Sequence, residues 1–254
     1  MPFRMWTRWR RSRLAARPLP PAAQEWSQRH LRRWSELPSA LQQKLQAIAW
    51  ILFQERRFEA SRDWALSDEM KWAVAINAAL MLLGVRDYYF DGVKTILLQQ
   101  QSFVLPQTSR WMVSHETSAG AAWQYGPIVL SWADCQIDSP LRRGGRNVII
   151  HEFAHHLDGL DGEMGGSIQL PTRESLERWD EVLADEFARL QLTLENGQRT
   201  FLDPYAATHP AEFFAVASEY FFERPAGMQE HHPEVFDLLV QFYNFNPATL
   251  NVLG

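Results

Sequence analysis

Residues 148–158 read Val-Ile-Ile-His-Glu-Phe-Ala-His-His-Leu-Asp, and no other stretch constrains the chain so strongly. The pattern is helical from about Asn147 to Asp158, and Gly159 and Gly162 close it. On a helix, positions i and i+4 share a face, so the imidazoles of His151 and His155 can reach one ion. Glu152 stands beside them, placed to take a proton from a water on that ion. The chain holds 8 His and 18 Glu among 254 residues. At those frequencies His-Glu-x-x-His arises by chance on the order of 0.02 times, so the motif outweighs a pair of surface histidines.

Two histidines do not complete a catalytic zinc site, which takes three protein ligands and a water. A third histidine six residues on is excluded, because position 158 is Asp where a glycine belongs and position 161 is Asp rather than His. Glu181-Val-Leu-Ala-Asp185 offers acids on a downstream helix. Leu176, Trp179, Leu183, Phe187 and Leu190 claim the apolar face of that helix, which leaves Glu181 and Asp185 solvated. The better source is Pro210-Ala-Glu212-Phe-Phe-Ala-Val-Ala-Ser-Glu219-Tyr-Phe-Phe, apolar almost all round and therefore buried. A carboxylate inside such a helix needs a partner, and a metal is one. Glu212 near the helix start is the candidate, against a role in merely complementing the helix dipole. Glu219, two turns on, is its rival. Asp158 falls on the same side of its helix as both histidines; it either holds a ligand imidazole in its tautomer or forms a turn with Gly159. His156 points away and reads as a surface histidine. His231-His232 and His115-Glu116 read as loop residues, and Cys135 as a structural thiol.

The rest of the chain frames this site. Residues 38–55, a helix capped at Ser67 and running to about Leu83 with Gly84 after it, 172–192, 209–223 and 233–243 read as helices. Residues 95–98, 110–113 and 127–132 read as strands. Helices flanking a small mixed or antiparallel sheet make the class α+β. A single cysteine excludes a disulfide framework. The formal charge of −5 argues against general nucleic-acid binding, yet residues 1–20 carry six arginines and no acid, leaving −11 on the remainder. Residues 1–24 therefore read as a basic, proline-containing arm, loosely held, and 25–254 as one domain. No apolar stretch reads as a secretory signal or a membrane span, which points to a cytoplasmic protein.

His151-Glu-Phe-Ala-His155-His-Leu-Asp158-Gly-Leu-Asp161-Gly, with Tyr205 and Ala211-Glu212-Phe-Phe-Ala-Val-Ala-Ser-Glu219-Tyr-Phe-Phe, resembles the Mlc titration factor A family. Its members are bacterial zinc-dependent peptidases related to the catalytic domain of anthrax lethal factor. The resemblance covers roughly residues 25–250 and implies a mostly helical, zincin-like domain. It implies that His151, His155 and Glu212 ligate one Zn2+ and that Glu152 is the general base. The pattern also places a tyrosine seven residues before the glutamate ligand, where Tyr205 stands, with its hydroxyl toward the developing oxyanion. Residues 127–132 would be a sheet edge for an extended peptide substrate. Aminopeptidase character and binding to the transcriptional repressor Mlc are likewise implied.

The competing class is a non-catalytic protein that carries a metal and sequesters a transcription factor. Glu152 discriminates between the two, because a purely structural site needs no general base and is more often closed by a fourth protein ligand.

Overall fold

The computed structural model describes residues 2–31, 34–60, 64–100, 127–137, 144–161, 166 and 172–252. Helices dominate it. Residues 2–15 form helix α1 (Pro2–Ala15), which packs on α3 (Ser39–Glu55). Arg11 projects inward from α1; its guanidinium donates to Glu55 at 2.7 Å, contacts Asp91 and lies 4.5 Å from the centre of the Tyr89 ring. A second helix absent from the sequence reading, α2 (Pro21–His30), packs on α4 (Asp68–Met81).

The sheet corrects the sequence expectation. Strands β1 (Arg57–Ala60), β2 (Thr95–Gln99) and β3 (Ile128–Ser131) lie in that order and both pairings are parallel, with Arg57 opposite Thr95 and Ile96 opposite Ile128. Parallel pairs need crossovers of a dozen residues or more, and residues 61–94 and 100–127 supply that length. No tight turn joins any two of these strands, so a hairpin was never available to them. β1 escaped notice because Arg57-Phe-Glu-Ala60 follows directly on a strong helix and carries two charges. The expected strand at 110–113 lies outside the described residues.

Ile96, Leu98, Ile128 and Leu130 face the core, which receives the remaining helices. α5 (Trp132–Ile137) follows β3 directly, and α6 (Val148–Asp158) packs against β3, α4 and α8 (Pro210–Glu223). α7 (Arg173–Glu195) is capped by Thr172, where Thr172 and Ser175 bond reciprocally. α9 (Pro225–His231) and α10 (Pro233–Tyr243) close the chain. Glu181 and Asp185 on α7 are exposed, as the pattern of that helix requires.

Gly84 is required for a reason other than helix termination. A Cβ there would stand 2.0 Å from the Asn244 carbonyl oxygen and 2.1 Å from that of Tyr243, so two segments of backbone meet where no side chain fits. Asn244 takes the left-handed conformation (φ 46°) and donates from its side chain to the Gly84 carbonyl at 2.9 Å.

Candidate metal centre

α6 begins where Asn147 caps it, its side-chain oxygen accepting from the Ile150 N–H at 3.2 Å. One turn later both histidines project toward α8. His151 and His155 bring their Nε2 atoms to 3.1 Å of each other, and Glu212 Oε2 lies 3.1 Å from the first and 3.4 Å from the second. These three atoms form the group of potential metal ligands among the described residues, all within 4.8 Å of one another. A tetrahedral ion with bonds of about 2.0–2.1 Å separates its ligands by about 3.4 Å, so the spacing suits a zinc-sized cation.

The protons tell the same story. Glu219 Oε1 accepts from His151 Nδ1 at 2.8 Å, which puts the neutral ring's proton on Nδ1 and leaves the Nε2 lone pair facing inward. The buried Glu212 Oε2 has no hydrogen-bond geometry to any described donor despite its nearness to both rings. Burial alone would raise the Glu212 carboxyl, but the imidazoles of His151 and His155 hold it well below the usual carboxylate range. Burial likewise depresses the affinity of His151 for a proton, and the carboxylates of Glu212 and Glu219 more than reverse this. Two imidazole nitrogens and one buried carboxylate oxygen aimed at one point suit a cation.

Glu152 keeps part of its surface open, although its carboxyl sits deep among neighbouring atoms. That desolvation raises its pKa, against the pull of both histidines. It lines a small cavity with His151, Tyr205, Glu219, Arg146 and Asp203. Tyr205 sits in a short 3-10 turn, Pro204–Ala207, whose first N–H groups are held by Asp203; the Asp203 carboxylate accepts from the Tyr205 N–H at 2.9 Å. Its ring centre is 6.2 Å from that of His151, and its buried hydroxyl has no hydrogen-bond partner among the described residues. Burial and then the neighbouring Glu212 charge push the Tyr205 phenol upward, which keeps it a donor.

All seven residues singled out from the sequence lie on α6, α8 or this turn, and five of them gather at the centre: His151, Glu152, His155, Tyr205 and Glu212. Glu219 reaches the outer edge of His151. Asp158, at the end of α6, is fully buried and contributes no atom to the ligand group. His156 is not a surface residue: it is largely buried near Phe90, and burial pulls its pKa down to about 4. His232 is not a plain loop residue either. It is buried at the start of α10 with Nδ1 2.7 Å from Glu186, while His231 ends α9. His115 and Glu116 lie outside the described residues.

Asn147, Asn77 and Glu223 were missed. Asn147 donates its backbone N–H to Glu219 Oε2, and its side-chain amide donates to Asn77 Oδ1 at 2.8 Å and Glu223 Oε1 at 2.7 Å. A signal existed. Glu212, Glu219 and Glu223 are spaced i, i+7, i+11 on an otherwise apolar helix, a single carboxylate stripe that can only face another polar stripe.

The profile of the glucose-regulated metallo-peptidase M90 family matches residues 6–244. The chain belongs to that family. An uncharacterized protein of Synechocystis sp. is 34% identical over 248 residues, 95% of this chain and 90% of its own length. Proteins named Mlc titration factor A from Escherichia fergusonii and Pectobacterium atrosepticum are each 32% identical over 215 residues. They cover 81% of this chain and 80% and 79% of their own lengths. Membership in a metallopeptidase family makes this M90 chain a metal-dependent peptide-bond hydrolase, and His151, His155 and Glu212 offer the place for its metal. No helix among the described residues is long and apolar enough to cross a membrane.

Proposed function

We propose that the protein is a cytoplasmic zinc peptidase in which His151, His155 and Glu212 hold a single Zn2+. The observation that carries this reading is the convergence of two imidazole nitrogens and one buried carboxylate oxygen at ligand spacing. Zinc, when bound there, supplies a Lewis acid and a water acidified toward neutral pH. Glu152 takes the proton as the water attacks the scissile carbonyl carbon, and its raised basicity suits that task. It then delivers the proton to the departing amine nitrogen. The Tyr205 hydroxyl, with no hydrogen-bond partner among the described residues, donates to the carbonyl oxygen as negative charge gathers on it. Glu219 keeps the His151 ring turned with Nε2 inward.

The substrate class is peptides, with aminopeptidase character, and the relatives named Mlc titration factor A support binding of the Mlc repressor as a second role. A chain that only sequestered a repressor would have no use for Glu152. The test pairs metal analysis with hydrolysis. Glu152→Gln should keep one zinc per chain and lose roughly 10²–10⁴-fold in kcat on a peptide library offered with free and blocked amino termini. Wild-type rates in this variant refute the peptidase mechanism. Equal cleavage of blocked peptides removes the aminopeptidase assignment alone.

A further inference from the structure

Helix α1 carries an outer face that the metal centre does not use. Met5, Trp6 and Trp9 are 73%, 53% and 55% exposed, the most exposed large apolar side chains of the chain's first half among the described residues. At 3.6 residues per turn, Met5, Trp9, Arg13 and Trp6 fall within an arc of about 100°. Arg8, Arg13 and Arg17 are exposed along the same helix and its exit. The Arg10 and Arg13 guanidiniums lie 5.6 and 4.9 Å from the centres of the Trp6 and Trp9 rings, so cation and indole are presented together.

We propose that this face of α1 docks the protein on an anionic lipid surface. An exposed helix face with two indoles and a methionine edged by arginines is the composition of helices that lie in the membrane interface. Tryptophan suits the headgroup level because its ring is apolar and its N–H is polar. The fourteen residues of α1 span about 21 Å at 1.5 Å per residue, too short and too charged to cross a bilayer, so the helix lies flat. Charge sets the orientation. Residues 1–20 carry six arginines and no acid, of which Arg8, Arg13 and Arg17 are exposed, whereas the remaining 234 residues carry −11, so an anionic surface attracts this one face and repels the rest.

The attachment is firm enough to carry the whole molecule. Arg11 points inward to Glu55, Asp91 and Tyr89, Leu14 and Leu19 are buried, and Trp50 Nε1 donates to the Pro18 carbonyl at 2.9 Å. A bilayer holding α1 thus holds the peptidase body beside it.

Flotation of the full chain with vesicles tests the proposal. The protein should rise with vesicles of phosphatidylglycerol and phosphatidylcholine in equal parts, stay behind with phosphatidylcholine alone, and detach as salt is raised. Trp6→Ser/Trp9→Ser should abolish flotation while thermal stability and peptide hydrolysis stay at wild-type values. Arg8→Gln/Arg13→Gln should lower partitioning by roughly thirtyfold, since each arginine near such a surface is worth about fivefold. Absence of flotation with the mixed vesicles, equal flotation with phosphatidylcholine alone, or binding that survives loss of both indoles would overturn the assignment. Tighter binding to duplex DNA than to the mixed vesicles at the same salt would also overturn it.

Discussion

Glu219 is the most informative position to perturb, because its two oxygens serve two different donors. Oε1 accepts from His151 Nδ1 and Oε2 from the Asn147 N–H at the start of α6. Glutamine has the same shape but offers only one acceptor. If its oxygen stays on His151, its NH2 faces the Asn147 N–H, donor against donor, and the first turn of α6 loses an acceptor. If its oxygen turns to Asn147, the NH2 meets Nδ1. The ring proton must then move to Nε2, the atom that faces Glu212 and His155. The first arrangement leaves a buried donor unmet, at about 1–3 kcal/mol, or roughly 3–10 °C in the Tm of the metal-free protein. The second appears as weaker metal binding, and loss of such an orienting carboxylate typically costs about 10–100-fold in affinity. Glu219→Gln should therefore still bind zinc, with affinity reduced within that range, whereas Glu212→Gln, which deletes a ligand atom, should lose tight binding. Competition with a chromophoric chelator at fixed pH measures both. A Glu219→Gln affinity within about threefold of wild type would refute the orienting role, and zinc retained by Glu212→Gln but lost by Glu219→Gln would reverse the two assignments.

Tyr205→Phe should leave zinc content unchanged and lower kcat more than it changes KM, because the hydroxyl is engaged chiefly in the transition state; steady-state kinetics with unaltered kcat would reduce Tyr205 to a packing residue. Gly84→Ala should destabilise the fold by about 3 kcal/mol, near the upper end of overpacking costs, since its Cβ meets backbone rather than a movable side chain; denaturant unfolding with a wild-type midpoint would refute the close approach to Asn244. Glu186 sets an acid limit. Burial would raise its carboxyl, but His232 and Arg189 hold it below the usual range. A lowered folded pKa contributes stability above the unfolded carboxylate value, about 4.3. That contribution is lost as pH falls through the folded value. Glu186→Gln should therefore cost Tm at pH 7 and cost progressively less below about pH 4; a penalty that does not shrink with acid would contradict this.

How much of this is legible in the sequence depends on whether the signal is local. Ser67 marks a helix start through a bond made within a few residues, and it acts where the sequence places it. Helix α8 declares its burial by being apolar around nearly its whole circumference, with no solvated face. Strand direction carries no such mark. Whether Thr95–Gln99 pairs parallel or antiparallel is decided by where residues 61–94 carry the chain, and that path depends on packing between distant segments. Residues 2–15 show the opposite failure. Their arginines read as a solvated tail, but one of them, Arg11, turns inward to a carboxylate pair contributed by residues 55 and 91. Nothing near position 11 announces either partner.

The same distinction runs through the metal centre. His151, Glu152 and His155 are bound together by one helical turn, so their spacing alone identifies them. Glu212 is found by a different logic: a charge cannot remain unpaired inside an apolar helix, so the sequence states that a partner exists without naming it. Extending that logic by two more steps along α8 reaches Glu219 and Glu223, whose partners prove to be His151 and Asn147. Asn147 is where the two helices are joined: it caps α6, accepts at Ile150, and gives its remaining protons to Glu219, Glu223 and Asn77. The carboxylate stripe of α8 thus sets the position of the start of α6 and the tautomer of its first histidine together. A zinc-sized site can be held ready on two helices far apart in sequence because the bonds that fix their packing also aim their ligands.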